Sequence, residues 1–174
     1  IKFAEEQGYK LCIGIGTEKL SLGITGNSSR SRVTACHMDG DISWFLKDWG
    51  EERGIPLLMT GKAAGRIPGF FAEYHYRLLG RIRMNHGMHT EPVYEVLDGE
   101  DGWQQRKKLL TEGTFAAGRE AFQNGDFTAA RMAFIQVYSE NPQDGAALHY
   151  IRLCEKNNVL PDGEKQCDME VWKL

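Results

Sequence analysis

The sequence predicts an α/β (α+β) chain in which a strand-rich N-terminal part is followed by a helical C-terminal part. Three observations carry this. Short apolar runs of strand length recur between Tyr9 and Leu97, broken by glycine and polar clusters. One stretch among them, Asp41 to Arg53, has its apolar residues at helical spacing instead. After the acidic segment Asp98-Gly99-Glu100-Asp101-Gly102 the apolar period changes from strand-like to helical. With 41% apolar residues, 8 Phe, 6 Tyr and 4 Trp in 174 residues, the chain has enough to fill a core.

The elements follow in order. Ile1 to Gly8 reads as the end of an amphipathic helix stopped by Gly8. Tyr9 to Ile15 and Lys19 to Thr25 are strands joined by Gly16-Thr17-Glu18. Gly26 to Ser31 has loop composition, and a short strand follows around Arg32 to Cys36. In the helix Asp41 to Arg53, Ile42, Phe45, Leu46 and Trp49 share a face, and Asp39 or Asp41 is placed to cap it. Ile55 to Met59 is a buried-type strand, and Thr60 caps a brief helix from Gly61 to Arg66. Phe70 to Met84 and Val93 to Leu97 complete a sheet. The segment 98–102 reads as a linker reaching at most ~17 Å, and helices fill 103–160. The tail 161–174 is polar apart from Val171-Trp172 and is expected to be loosely held.

Composition excludes several classes. A formal net charge of −3 gives no electrostatic reason to expect nucleic acid or an anionic membrane surface as partner. Cys12, Cys36, Cys154 and Cys167 follow neither zinc-ligand nor disulfide-framework spacing, which favours a reducing, cytoplasmic setting. No run approaches the ~20 apolar residues needed to cross a bilayer. A chain starting Ile1-Lys2-Phe3 without Met reads as cut from something longer, so a membrane anchor is expected only upstream of residue 1.

Four blocks share a frame. They are Ile13-Gly14-Ile15-Gly16-Thr17 with Leu20 and Gly23-Ile24-Thr25-Gly26; Gly54-Ile55-Pro56-Leu57-Leu58; Leu79-Gly80-Arg81-Ile82-Arg83; and Glu91-Pro92-Val93-Tyr94-Glu95-Val96-Leu97. In this order they resemble I-G-I-H-T-G-E-L-V-x-G-x-x-G, G-[IV]-P-[IL]-L, L-G-x-[VI]-x and, shortened, E-P-V-x-V-Y-E-V-L. Leu11 to Leu97 therefore resembles the C-terminal half of a class III adenylate/guanylate cyclase domain. The resemblance implies a ferredoxin-like nucleotidyl cyclase fold, N-terminally truncated, over 1–97. Gly118, Ala121, Phe122, Gly125-Asp126-Phe127, Ala130, Phe134 and Pro142 fall at the offsets of a tetratricopeptide repeat. So short an array cannot bury a solenoid core alone. The TPR-like helices should pack on the cyclase-like part or continue a stack supplied by another chain.

Class III cyclases work as dimers with active sites shared across the interface. The resemblance implies two metal-holding aspartates in the N-terminal half. From the other subunit come a base-selecting residue, an Asn on the ribose, an Arg on the transferring phosphoryl group and a Lys on the terminal phosphate. The ribose 3′ oxygen attacks the α-phosphate in line, so positioning and charge neutralisation supply most of the rate. Counted back from Gly54, the Asn position falls on Asp41 and the Arg position on Phe45. The base-selecting position falls on Thr34. The Lys position, counted back from Glu91, falls on Gly87 or His89. Asp sets a negative charge beside a triphosphate, and Phe removes a bidentate phosphate donor. By analogy with arginine fingers that loss is worth roughly three to five decades in rate.

Other constellations read as structural. His86 and His89 form no three-ligand set and read as surface. Cys36-His37 reads as packing. Gly61-Lys62-Ala63 lacks the rest of a phosphate loop. Asp39, Asp41, Asp48, Glu51 and Glu52 read as a solvated helix start and face. Trp44, Phe45 and Trp49 read as core or dimer packing.

The expectation is a degenerate, non-catalytic cyclase-like module for dimerisation or regulation in a bacterial signalling protein. It would pair as homodimer or heterodimer, with a possible protein partner on the TPR-like helices and no nucleic acid. No cofactor is expected, Mg or Mn entering only if a missing N-terminal half carries the metal aspartates. The alternative is an active adenylate cyclase converting ATP to cyclic AMP, with those aspartates upstream or on a partner subunit.

Overall fold

The computed structural model describes residues 7–8, 10–37, 41–84, 90–160 and 170–172. Its elements are β1 (Ile13–Ile15), β2 (Leu20–Asn27), β3 (Arg30–His37), α1 (Ile42–Arg53), β4 (Leu57–Thr60), α2 (Gly61–Ala64), α3 (Phe70–Glu73), β5 (Tyr76–Met84) and β6 (Thr90–Val96). A 3-10 turn (Leu97–Gly99) leads to α4 (Gly102–Leu110), α5 (Glu112–Gln123), α6 (Phe127–Glu140), α7 (Gly145–Val159) and β7 (Glu170–Trp172). The α/β class is as predicted. The expected helix over Ile1 to Gly8 lies mostly outside the described residues.

A mixed five-stranded sheet is ordered β1-β4-β6-β5-β7, with β1–β4 and β5–β7 parallel and the two central pairings antiparallel. Alternation along β4 and β6 sends successive side chains to opposite faces. Leu58 and Val93 enter one core, together with Ile42, Leu46 and Trp49 of α1 and the aromatic side chains of α5, α6 and α7. Met59, with Tyr94 against it, enters the other, beneath α2 and α3. The larger core joins sheet and C-terminal helices without a break, which is the docking expected of them. Gly14 lets α1 lie directly on β1, since a Cβ there would stand 2.1 Å from the Ser43 carbonyl oxygen. Gly145 does the same where the start of α7 meets the end of α1, with Arg53 O only 1.8 Å from such a Cβ.

Several local expectations differ. Gly26 to Ser31 is not a long loop: β2 and β3 run on to a turn at Ser28-Ser29. The Asn27 side-chain oxygen closes it, accepting from Ser29 N at 3.1 Å and Arg30 N at 2.9 Å. The strand expected from Phe70 begins only at Tyr76, because Gly69 starts the one-turn helix α3. The segment 98–102 connects β6 to α4 through the 3-10 turn. Asp98 there accepts from His75 N at 2.7 Å, and Asp101 caps α4. Within the tail expected to be loose, 170–172 adds β7 beside β5.

β5 carries an irregularity that matters for docking. Its register against β6 shifts between Leu78 and Gly80, leaving Leu79 as the extra residue of a bulge. The buried Tyr150 hydroxyl of α7 donates to the Leu79 carbonyl at 2.7 Å. Beside it Arg77 of β5, 1% exposed, donates through Nε to Glu95 of β6 at 3.0 Å and through Nη1 and Nη2 to Asp144, the N-cap of α7, at 2.7 and 3.1 Å. Its guanidinium carbon lies 4.0 Å from the Phe115 ring centroid of α5. One side chain thus ties two strands and two helices together.

Replacing Arg77 with Met leaves the Glu95 and Asp144 carboxylates buried short of a partner. We expect a loss of about 3–5 kcal/mol in urea unfolding followed by tryptophan fluorescence. Arg77→Lys should recover only part of it, since an ammonium cannot make two forked contacts. A loss below about 1 kcal/mol for the Met variant would show that the carboxylates do not depend on Arg77.

Candidate functional site

Asp41 and Phe45 sit one turn apart on α1, and both have local structural work. The Asp41 carboxylate caps the helix, accepting from Trp44 N at 3.0 Å. Phe45 is half-buried and packs against the larger core. Thr34 lies on β3, where its hydroxyl pairs with Thr25 of β2 at 3.1 Å. Gly87 and His89, with His86, lie outside the described residues, as does Asp39. The structure therefore brings Asp41 and Phe45 onto one helix turn and keeps Thr34 on the separate β2–β3 ribbon.

The remaining candidates sort by their partners. Asp48 and Glu51 both reach Lys47, at 2.6 and 2.8 Å, and Glu52 reaches Arg53 at 2.9 Å. The acidic face is thus engaged by its own helix. Trp49 is core, edge-on to His149 of α7 at 5.1 Å between centroids, whereas Trp44 is largely exposed. At Gly61-Lys62-Ala63 the Glu91 carboxylate accepts from Lys62 N at 2.8 Å and pairs with its ammonium at 3.2 Å. An internal anion holds that position. Cys36 and His37 end β3, but their side chains lie outside those described. Burial raises the thiol pKa of Cys12, and that of Cys154 to about 12, so neither favours a thiolate. Among the described residues no group of three His, Cys, Asp or Glu is placed to hold a metal ion.

Sequence reasoning missed a buried cluster of charges. Beside Arg77, the buried Lys108 of α4 donates to Glu95 at 2.6 Å and also to Glu100. Glu100 and Lys108 form part of the wall of a cavity of about 370 Å³, with Cys12, Gln104 and Gln143. The only sequence signal was an Arg and a Glu of opposite sign on neighbouring strands. It becomes legible once the register sets Arg77 against Glu95.

The cluster holds three carboxylates, Glu95, Asp144 and Glu100, against two cations, Arg77 and Lys108. Burial alone would raise the Glu95 pKa, but Arg77 and Lys108 outweigh it and hold the carboxyl well below its usual range. At Glu100 burial raises the pKa, and repulsion from Glu95 adds to it. Lys108 opposes them only in part, so the carboxyl moves up to about 7. The surplus negative charge therefore weighs on Glu100, which with Lys108 lines the cavity.

No protein family, curated protein or solved structure matches this chain.

The proton on Glu100 gives a pH dependence of definite sign. With a pKa of about 7 when folded against 4.5 when unfolded, the native state keeps a proton that the unfolded chain releases. Its contribution to stability is full below the unfolded value and is lost as pH rises to about 7. Wild-type stability from urea unfolding should fall over that range, by on the order of 1–3 kcal/mol in all. Glu100→Gln should flatten the profile there, and an unchanged slope would remove Glu100 as its source.

Proposed function

We propose that this chain is a catalytically silent relative of the class III nucleotidyl cyclases, serving as a pairing or regulatory module in cyclic-nucleotide-type signalling. One observation carries the reading. The positions that the resemblance assigns to ribose and phosphate recognition, Asp41 and Phe45, are a helix cap and a core-packing ring. A capping carboxylate repels a triphosphate, and a phenyl ring offers it no donor.

The finer fold assignment belongs to the same proposal. Parallel β1 and β4 bridged by α1, followed by the antiparallel pair β5–β6, are what a ferredoxin-like cyclase half requires. The TPR-like reading of the C-terminal helices draws support from α5 and α6. Gly118 lets them approach, its missing Cβ lying 3.1 Å from the Ala133 Cβ. Docked on the sheet, these helices act here as a brace, and their outer surface is what remains for a protein partner.

Assayed alone with Mn²⁺ and ATP or GTP, the chain should form no cyclic nucleotide above background. The double variant Asp41→Asn with Phe45→Arg should not restore turnover. Asp41→Ala should lower stability by about 1 kcal/mol while Asp41→Asn is nearly neutral, as a cap demands. Cyclic nucleotide formation by the wild type that Asp41→Ala abolishes would overturn the reading.

A further inference from the structure

The cavity beside the buried charge cluster is assembled from parts of the chain far apart in sequence. Cys12 precedes β1, Glu100 follows the 3-10 turn, Gln104 and Lys108 stand one helical turn apart on α4, and Gln143 precedes α7. Its volume of about 370 Å³ lies within the range of small-molecule sites. Thr34, Asp41 and Phe45 are not among its lining residues, so it is separate from the positions assigned to nucleotide recognition.

Two features of the wall select a ligand. The first is charge. Glu95, Asp144 and Glu100 are 0%, 0% and 6% exposed, against Arg77 and Lys108 at 1% and 2%, so the buried cluster is one positive charge short. Of its three carboxylates, Glu100 is the one that lines the cavity. Lys10 and Asp101 also line it, but both are exposed and of opposite sign, so they offset each other. The second feature is hydrogen bonding. Asp101 spends Oδ1 on Trp103 N and Gln104 N, at 2.8 and 2.9 Å, and keeps Oδ2 as an acceptor. Asn141 Nδ2 donates to Gln104 Oε1 at 2.9 Å, and Gln104 Nε2 donates to Gln143 Oε1. That chain of amides fixes the adjoining wall.

We propose that this cavity binds the ammonium group of a small organic amine, with Glu100 and Asp101 as its acceptors. An ammonium donates up to three N–H bonds and carries the charge that the cluster lacks. A divalent metal ion fits less well: among the described residues no three His, Cys, Asp or Glu side chains are placed to hold one. The groups facing Glu100 are Lys108 of α4, Asp101 at its start and Glu95 of β6, with Arg77 of β5 and Asp144 of α7 behind Glu95. Lys10 and Cys12 share its cavity. Burial, with Glu95 adding to it against Lys108, pushes the Glu100 carboxyl up to about 7. A proton and an ammonium compete for that carboxylate, so the amine binds more tightly as pH rises through this value. From about pH 8 down to about pH 6 the Kd should rise about tenfold. Binding here does not depend on the cyclase reading.

Calorimetric titration of the 174-residue chain with butylammonium above neutral pH tests it, with butanol and butyrate as the neutral and anionic counterparts. Butylammonium should bind one to one, at least about tenfold more tightly than either. Glu100→Gln, its folding checked by thermal unfolding, should weaken that binding at least about tenfold and abolish its pH dependence. A second measurement needs no variant. In the wild type, saturating butylammonium should slow alkylation of Cys12 by iodoacetamide about fivefold or more, because it fills the cavity that Cys12 lines. Peptide mass separates Cys12 from the other cysteines. Butylammonium that binds no better than butanol overturns the proposal. So does tighter binding of butyrate, a folded Glu100→Gln variant that binds like the wild type, or Cys12 alkylation that the amine leaves unchanged.

Discussion

The guanidinium of Arg77 is the constraint on which the arrangement of this chain depends. It lies where β5, β6, α5 and the start of α7 converge, and it is almost wholly removed from water. A buried cation of this kind is costly unless every donor finds an acceptor in good geometry. Glu95 and Asp144 supply those acceptors, and each is itself fixed by its element: Glu95 by the strand register, Asp144 by capping α7 through Ala147 N. Sheet and helices can therefore meet in few ways. A register slip of one residue would turn Glu95 to the other face and leave Arg77 unanswered.

The apolar contacts around the clamp supply most of the driving force, and the clamp supplies direction. Phe115, Phe134 and Tyr150 form a ring cluster between sheet and helices, with Phe134 and Tyr150 stacked at 4.4 Å. Such burial is favourable in many orientations. The Tyr150 hydroxyl on the carbonyl freed by the Leu79 bulge, and Arg77 on Asp144, single out one of them. Beside them the cluster keeps an excess of negative charge, which with burial raises the pKa of Glu100. That group stands both at the cavity and at the turn joining β6 to α4.

Positions that the sequence offered as chemical candidates serve the structure instead. A carboxylate at a helix start is stabilised by exposed N–H groups, and Asp41 uses it so. Glu91 likewise fills the backbone donor at Lys62. In both places a carboxylate of the chain itself takes up backbone donors that would otherwise face solvent. On the β2–β3 ribbon, by contrast, Leu22, Ile24 and Val33 stay exposed.

How much was legible in the residues can be read from particular elements. The helix from Asp41 to Arg53, its buried face of Ile42, Leu46 and Trp49, and the caps at Asp41 and Thr60 follow from periodicity and local hydrogen-bonding chemistry, which depend on neighbours a few residues apart. The same holds for the helical period after 102 and for the need of those helices to dock, since their apolar side chains outnumber what they bury alone. The candidate positions Thr34, Asp41 and Phe45 rest on the resemblance alone, counted back from Gly54 within its frame. The bulge at Leu79 and the Arg77–Glu95–Asp144–Lys108–Glu100 cluster were not legible, because each depends on register or on residues up to 67 positions apart. Sequence by itself determined the longer helices, the main strands and which of their faces are apolar, because those are local free energies. Only the tertiary structure decided which charges are buried together and which apolar face is left outside, because burial and pairing are properties of packed surfaces that no single segment contains.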